Sequence, residues 1–201
     1  MPADAPTPRE TRKEREFRSH RREILRAAVQ LFAEHGYHQT TMQMIAERAD
    51  FSVGYLYKHF PGKEEMYAEM LERHMGRIDD LVAGVESLGL KPLDELRRVL
   101  EIVCEHFNEH RDFMRIYHLD MTEAFDALVE RKRMHHEKTV VLLERAREAG
   151  ELADVDVELL ATILDGAIRE LFHHLAEKTD EAPFKDLAPT IFALIIDPLR
   201  R

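Results

Sequence analysis

The stretch from Thr40 to Tyr67, TTMQMIAERADFSVGYLYKHFPGKEEMY, constrains this chain more than any other. Thr41 is a favoured N-cap residue just before Met42, Ile45, Ala46 and Ala49, an apolar series at helical spacing. Asp50 and Phe51 interrupt the series, and Ser52 caps a second helix with Val53, Leu56 and Phe60 as its buried positions. Pro61 and Gly62 end that helix, and Lys63-Glu64-Glu65 opens a longer one. Two helices joined by a turn of three or four residues make a helix-turn-helix, whose second helix lies in the DNA major groove. Off its apolar positions that helix carries Gly54, Tyr55, Tyr57, Lys58 and His59, which are small, aromatic or basic. A merely solvated helix in so acidic a chain would show Glu and Asp there. The face is therefore expected to meet phosphates and base edges.

The net charge of −10 argues at first against a nucleic-acid partner, but its distribution reverses that. From Arg9 to Lys63 there are 11 Lys/Arg against 7 Asp/Glu, net +4, and from Glu64 onward 18 against 31, net −13. A basic head on an acidic body concentrates attraction to phosphate at one end. The single cysteine, Cys104, excludes an intrachain disulfide and suits a reducing cytoplasm. No apolar run reaches the ~20 residues that span a bilayer, and the N-terminus lacks a signal-peptide core. A cytoplasmic protein with no membrane partner is expected.

The periodicity predicts an all-α fold of about nine helices. Residues 1–16 are read as a flexible N-terminal arm, 17–62 as the helix-turn-helix head and 63–201 as a helical body. The first helix is expected from about Phe17 to His35, with Ile24, Leu25, Ala28, Leu31 and Phe32 as its apolar stripe and Gly36 as its cap. A long helix from Gly62 to about Leu88 joins head to body without a linker. Further helices are expected over Leu93–His110, Arg111–Leu119, Glu123–Ala149, Val157–Glu177 and Phe184–Leu199. Pro189 falls near the start of the last, where a first turn tolerates it.

The run Thr41-x-x-x-Ile45-Ala46-x-x-Ala49-x-x-Ser52-x-Gly54-x-Leu56-Tyr57-x-His59-Phe60-x-x-Lys63 resembles the DNA-binding signature of the TetR family of bacterial transcription regulators. The likeness extends upstream through Ile24 to Gly36 and covers the first third of the chain; the rest is similar only in length and helical layout. One departure is Asp50, where the family usually has Gly. Asp is among the few other residues that tolerate a left-handed backbone, at a cost of roughly 1 kcal/mol.

The resemblance implies contacts to duplex DNA from Thr41, Gln43, Ser52, Gly54, Tyr55, Tyr57, Lys58, His59 and Lys63. It also implies a homodimer reading a palindromic operator, paired through the last two helices. Leu160, Ile163, Gly166, Ala167, Leu171, Ile191, Leu194 and Ile195 are the candidates for that interface, and the small residues among them permit close helix approach. The middle helices are expected to enclose a small-molecule effector. Its lining is drawn from Cys104, Phe107, Phe113, Met114, Tyr117, Met121, Phe125, Leu142, Leu164, Ile168, Phe172 and His173, which suit an apolar or amphipathic ligand. The function implied is a ligand-responsive regulator, a repressor released from its operator.

Twelve histidines invite a metal reading. His106 and His110 share a helical face two residues after Cys104, and His135-His136 and His173-His174 are adjacent pairs. Adjacent helical side chains diverge by about 100°, so each pair offers at most one inward ligand. The histidines are read as solvated or pocket-lining, with no metal ion and no cofactor. A metal- or pH-responsive regulator using the histidine-rich body stands as the alternative. A helical enzyme or carrier with a vestigial DNA-binding head is a third reading, but the chain has no nucleophile elbow, phosphate-cradling glycine loop or zinc-protease motif.

Overall fold

The structure is a computed structural model that describes residues 11–119, 126–177 and 186–201. Met121, Phe125 and the start of the helix expected from Phe184 lie outside the described residues. The fold is all-α: among the described residues, extended pairing is limited to one isolated bridge, between Leu152 and Arg200. The chain divides into two compact units, one ending at Met70 and the other beginning at Leu71.

In the first unit, α1 spans Arg12–His35. It begins five residues before the expected Phe17, so residues 12–16 of the expected arm are helical. The cause is a capping box: the Thr11 hydroxyl accepts from the Glu14 N–H, and the Glu14 carboxylate accepts from the Thr11 N–H at 2.7 Å. Arg12 and Glu16, one turn apart, pair at 2.9 Å. Gly36 closes the helix at φ 81°, its N–H donating to the Phe32 carbonyl. α2 spans Met42–Arg48 and α3 Val53–Leu56. Between them Asp50 sits at φ 57°, the one non-glycine residue in the left-handed region among those described. The Phe51 N–H reaches back to the Ala46 carbonyl and the Asp50 N–H to Glu47, the Schellman closure that a left-handed residue at this position permits. Phe32, Ile45, Leu56, Phe60, Met66 and Tyr67 form the core, each less than 2% exposed. Burying side chains of this size contributes roughly 1.5–3 kcal/mol apiece, which holds the short helices α2 and α3 in place where their own propensity would not.

α4 runs unbroken over Lys63–Glu86. The second unit adds α5 (Pro92–Glu109), α6 (Arg111–Leu119), α7 (Asp126–Glu148), α8 (Val157–Glu177) and α9 (Leu187–Ile191). Pro92 sits in the first turn of α5, and Glu151 from the α7–α8 connection accepts the Leu93 N–H at 3.1 Å. Leu93, Leu100, Phe107, Phe113, Leu143, Leu164, Phe172 and Phe192 are buried within this unit. The final helix departs from expectation. After α9 it widens into a π-helical turn at Phe192–Ile196 and tightens into a 3₁₀ turn at Asp197–Leu199. Pro198 has no N–H to continue an α ladder, so the geometry must change before it. The end of the chain is then fixed by backbone pairing, Ala153 N–H to Leu199 carbonyl at 2.8 Å and Arg201 N–H to Glu151 carbonyl at 3.2 Å. Among the described residues no helix is long and apolar enough to cross a membrane.

Candidate nucleic-acid interface and cavity

Thr41 and Ser52 are exposed, and each caps its helix by accepting a backbone N–H at 3.2 Å, Thr41 from Met44 and Ser52 from Tyr55. Each hydroxyl keeps its own hydrogen to donate, which a phosphate oxygen can take. Gln43 is exposed beside them, its amide donating to Glu47 at 2.7 Å. Gly54 is exposed with no atom within 4 Å of where a Cβ would stand, so only backbone separates α3 from anything that approaches it. Tyr57 is 54% exposed and Lys58 is exposed. Tyr55 is half-buried: its hydroxyl lies 2.9 Å from His20 Nδ1 and its ring stacks on Phe51 at 5.1 Å.

Two expected DNA contacts sit elsewhere. His59 is only 5% exposed, with its ring stacked on Phe17 at 4.1 Å. Neither of its ring nitrogens has a hydrogen-bond partner among the described residues, and burial holds its pKa below the usual 6.5, helped by His20, Arg21 and Lys58. The expectation assumed that α3 continues to Phe60, but the helix ends at Leu56 and the backbone turns through Tyr57–His59, which rotates His59 inward. Lys63 does not project outward either. Its Nζ donates to the carbonyls of Tyr37 (2.7 Å), Thr40 (3.1 Å) and His38 (3.3 Å) and lies 4.4 Å over the Tyr37 ring. It braces the α1–α2 connection. Arg21 is likewise engaged, donating to Glu69 at 2.9 Å and to the His59 carbonyl while lying over Phe60. Arg22 and Arg26 are exposed on α1.

The second unit holds two adjoining cavities of about 570 and 640 Å³ that share Ile78, Val103, His135, Asp165 and Ile168. Leu96, Val99, Leu100, Leu142 and Leu164 wall the first, where nearly buried Glu95 meets Arg145 at 3.1 Å. Met75, Phe107, Tyr117 and Phe172 wall the second, together with Lys132, Arg133, His136, Arg169 and His173. Of the expected lining, Phe107, Tyr117, Leu142, Leu164, Ile168, Phe172 and His173 are on these walls; Met121 and Phe125 lie outside the described residues. Cys104, Phe113 and Met114 are not on the walls. Cys104 is buried against Ala188 of α9, its thiol pushed up to about 12 by burial, and Phe113 and Met114 are core. All three belong to helices that pack on two sides, and apolar periodicity does not say which side a cavity occupies. The cationic wall residues escaped the sequence reading because it sought apolar lining. His136 is held between Asp165 (2.6 Å) and Glu158 (3.1 Å), and its hydrogen bond to Asp165 is the first cause of a pKa above the usual 6.5.

The residues expected at a subunit interface separate into two sets. Ile163 is 49% and Leu194 73% exposed, and Gly166, Ala167, Leu171 and Ile195 are half-buried. Leu160 and Ile191 are buried in the chain's own core. Leu160 shares the inward stripe of α8 with Leu164 and Phe172, whereas Leu159 and Ile163 fall on an exposed face of the same helix.

A capped helix pair about a left-handed turn, presenting small, aromatic and basic side chains, defines a DNA-binding transcription regulator of the helix-turn-helix class. Residues 24–70 match the family described as "Bacterial regulatory proteins, tetR family". The transcriptional repressor KstR2 of Rhodococcus jostii RHA1 is 34% identical over 149 residues, covering 69% of this chain and 71% of the relative. The transcriptional activator FasR of Mycolicibacterium smegmatis is 39% identical over 87 residues, 43% of this chain and 38% of FasR. The chain thus spans well under half of FasR's length. The crystal structure of a TetR-like regulator from Rhodococcus sp. RHA1 superposes with a TM-score of 0.68 at 31% identity, over 92% of this chain and 99% of that one. The chain belongs to the TetR family of bacterial transcription regulators.

Proposed function

We propose that this chain is a ligand-gated repressor, a homodimer that binds a palindromic operator in the cytoplasm and is released by an apolar or amphipathic small molecule. The observation that carries the reading is the pair of adjoining cavities, whose apolar walls meet charged groups of both signs in the second cavity, Lys132, Arg133 and Arg169 beside Asp165 and Glu170. Such a lining suits a ligand with an extended apolar body and one polar end. Gating requires that the ligand bind the DNA-free arrangement more tightly, since equal affinity for both shifts nothing. α4 is the element suited to transmit the difference, because Ile78 and Val82 wall a cavity and the same helix begins at Lys63. Repression is favoured over activation because the match to the repressor KstR2 extends over 149 residues, past the DNA-binding unit, whereas that to the activator FasR spans 87.

Exposed Leu159, Ile163 and Leu194 supply an apolar surface for a second copy, and two-fold pairing is what lets a small reading head recognise two half-sites. The test has two arms. An unbiased selection of duplexes by the full chain should return an inverted repeat. Native mass spectrometry of the purified chain, followed by competition on the selected duplex, should find an amphipathic molecule that releases it. Recovery of a repeat that no cavity ligand displaces would overturn the gating.

A further inference from the structure

We infer that His74, His106 and His110 form a binding site for one divalent transition-metal ion of the zinc, cobalt or nickel class. His106 lies in the last turn of α5 and His110 is the residue that caps that helix, and their ring centroids are 4.5 Å apart. His74 comes from α4 and meets them there. Its Nδ1 lies 3.2 Å from His106 Nε2, and its ring centroid is 4.8 Å from that of His110. One ligand-capable nitrogen from each of the three rings lies within 4.8 Å of the others.

Nitrogens held 2.0–2.1 Å from a tetrahedral ion are about 3.4 Å apart, so His74 and His106 already stand near the required spacing. The closing that remains falls to His110, which is exposed and able to turn. The other two rings are fixed in place. His106 is 4% exposed, and His74 is stacked on Phe113 at 4.2 Å with 12° between the planes. An ion in place of the shared proton needs both facing nitrogens as acceptors, which each imidazole offers in one of its two tautomers. His110 at the surface leaves an entry path and a fourth position for water.

The chemistry of the donors selects the ion. Three imidazoles, with no carboxylate in the cluster among the described residues, suit zinc, cobalt, nickel or copper and disfavour calcium and magnesium, which take oxygen ligands. Arg73 and Arg77 act on these rings through space, and their charge lowers the affinity that three nitrogen bonds must supply. None of the three rings walls either cavity, so the site is independent of the effector reading. Sequence alone paired His106 and His110 with Cys104, which instead faces α9.

The full, untagged chain, stripped with a chelator and titrated with cobalt and then zinc, tests the site. One cobalt per chain with visible bands of nitrogen coordination, displaced by zinc and accompanied by a raised melting temperature, is expected. His110→Ala, at an exposed position, should weaken binding by at least the ~10–100-fold that loss of a mere supporting contact costs a metal site. His106→Gln should abolish the bands, and His135→Ala with His136→Ala should leave them unchanged. Wild type that binds no cobalt, or no more tightly than His110→Ala, overturns the site and leaves the rings a hydrogen-bonded aromatic cluster. Binding lost only in the His135→Ala, His136→Ala chain overturns it too.

Discussion

The Tyr55 hydroxyl on α3 lies 2.9 Å from Nδ1 of His20 on α1, so a side chain that the sequence points toward DNA is tied back to the helix behind it. With its ring also stacked on Phe51, Tyr55 sets the position of α3. Tyr55→Phe removes the hydrogen bond and keeps the stacking. It should cost about 1 kcal/mol of stability in chemical denaturation. Affinity for the selected duplex should stay within roughly twofold, because a phosphate or base contact is not what is lost. A Tyr55→Phe chain of wild-type stability that has lost DNA binding would place the hydroxyl on the DNA.

His59 predicts a pH dependence of the first unit. Burial lowers its folded pKa below the 6.5 of the free group, so below pH 6.5 the unfolded chain binds a proton that the folded unit resists. Its contribution is therefore intact above pH 6.5 and is lost as pH falls from there through the folded value. His59→Phe keeps a ring against Phe17 and has nothing to protonate. Hydrogen exchange of the α3 amides, followed from pH 7 to pH 5, should accelerate in wild type relative to this variant. Equal acceleration in both would assign the dependence to another group.

Lys58 and Lys63 should differ in kind. Lys58 is exposed in the turn after α3, and its loss should reduce the slope of log affinity against log salt by about 0.9 if it meets one phosphate. Lys63 donates to three backbone carbonyls. Lys63→Met leaves them without that donor and should cost about 1–3 kcal/mol in stability while the salt slope stays as it was. Anisotropy titrations at several salt concentrations, beside denaturation curves, separate the two.

Asp50 holds φ 57° in the turn between α2 and α3. Asp50→Gly removes the cost of a side chain in that region but gives the unfolded chain more freedom, so the gain should be below about 1 kcal/mol. Asp50→Val, branched at Cβ, should destabilise by more than the glycine gains. Thermal melts of the three chains in one buffer test the order.

The helices and the turn were legible because local signals agree: a cap at Thr41, an apolar stripe through Ile24 and Phe32, glycine at position 36 and a small polar residue at 50. The surface was less legible. His59 is buried because α3 stops after four residues, and a pattern carried one turn too far put its ring outside. Lys63 reads as a free cation until the α1–α2 connection is folded against it. His74 and His106 are 32 residues apart, and nothing local to either shows that the two helices cross there. Leu160 and Ile163 carry similar side chains on one helix, and only packing separates the core residue from the exposed one.

The central claim is that the exposed surface of α3 and of the turn that follows it holds this chain on duplex DNA, and the double variant Tyr57→Ala, Lys58→Ala, in that turn, addresses it directly. Both side chains are exposed, so the fold should survive their removal. Measured by fluorescence anisotropy on the duplex selected by wild type, the double variant should bind at least ~10-fold more weakly, the equivalent of about 1.4 kcal/mol. A folded double variant that binds the same duplex as tightly as wild type would contradict the account.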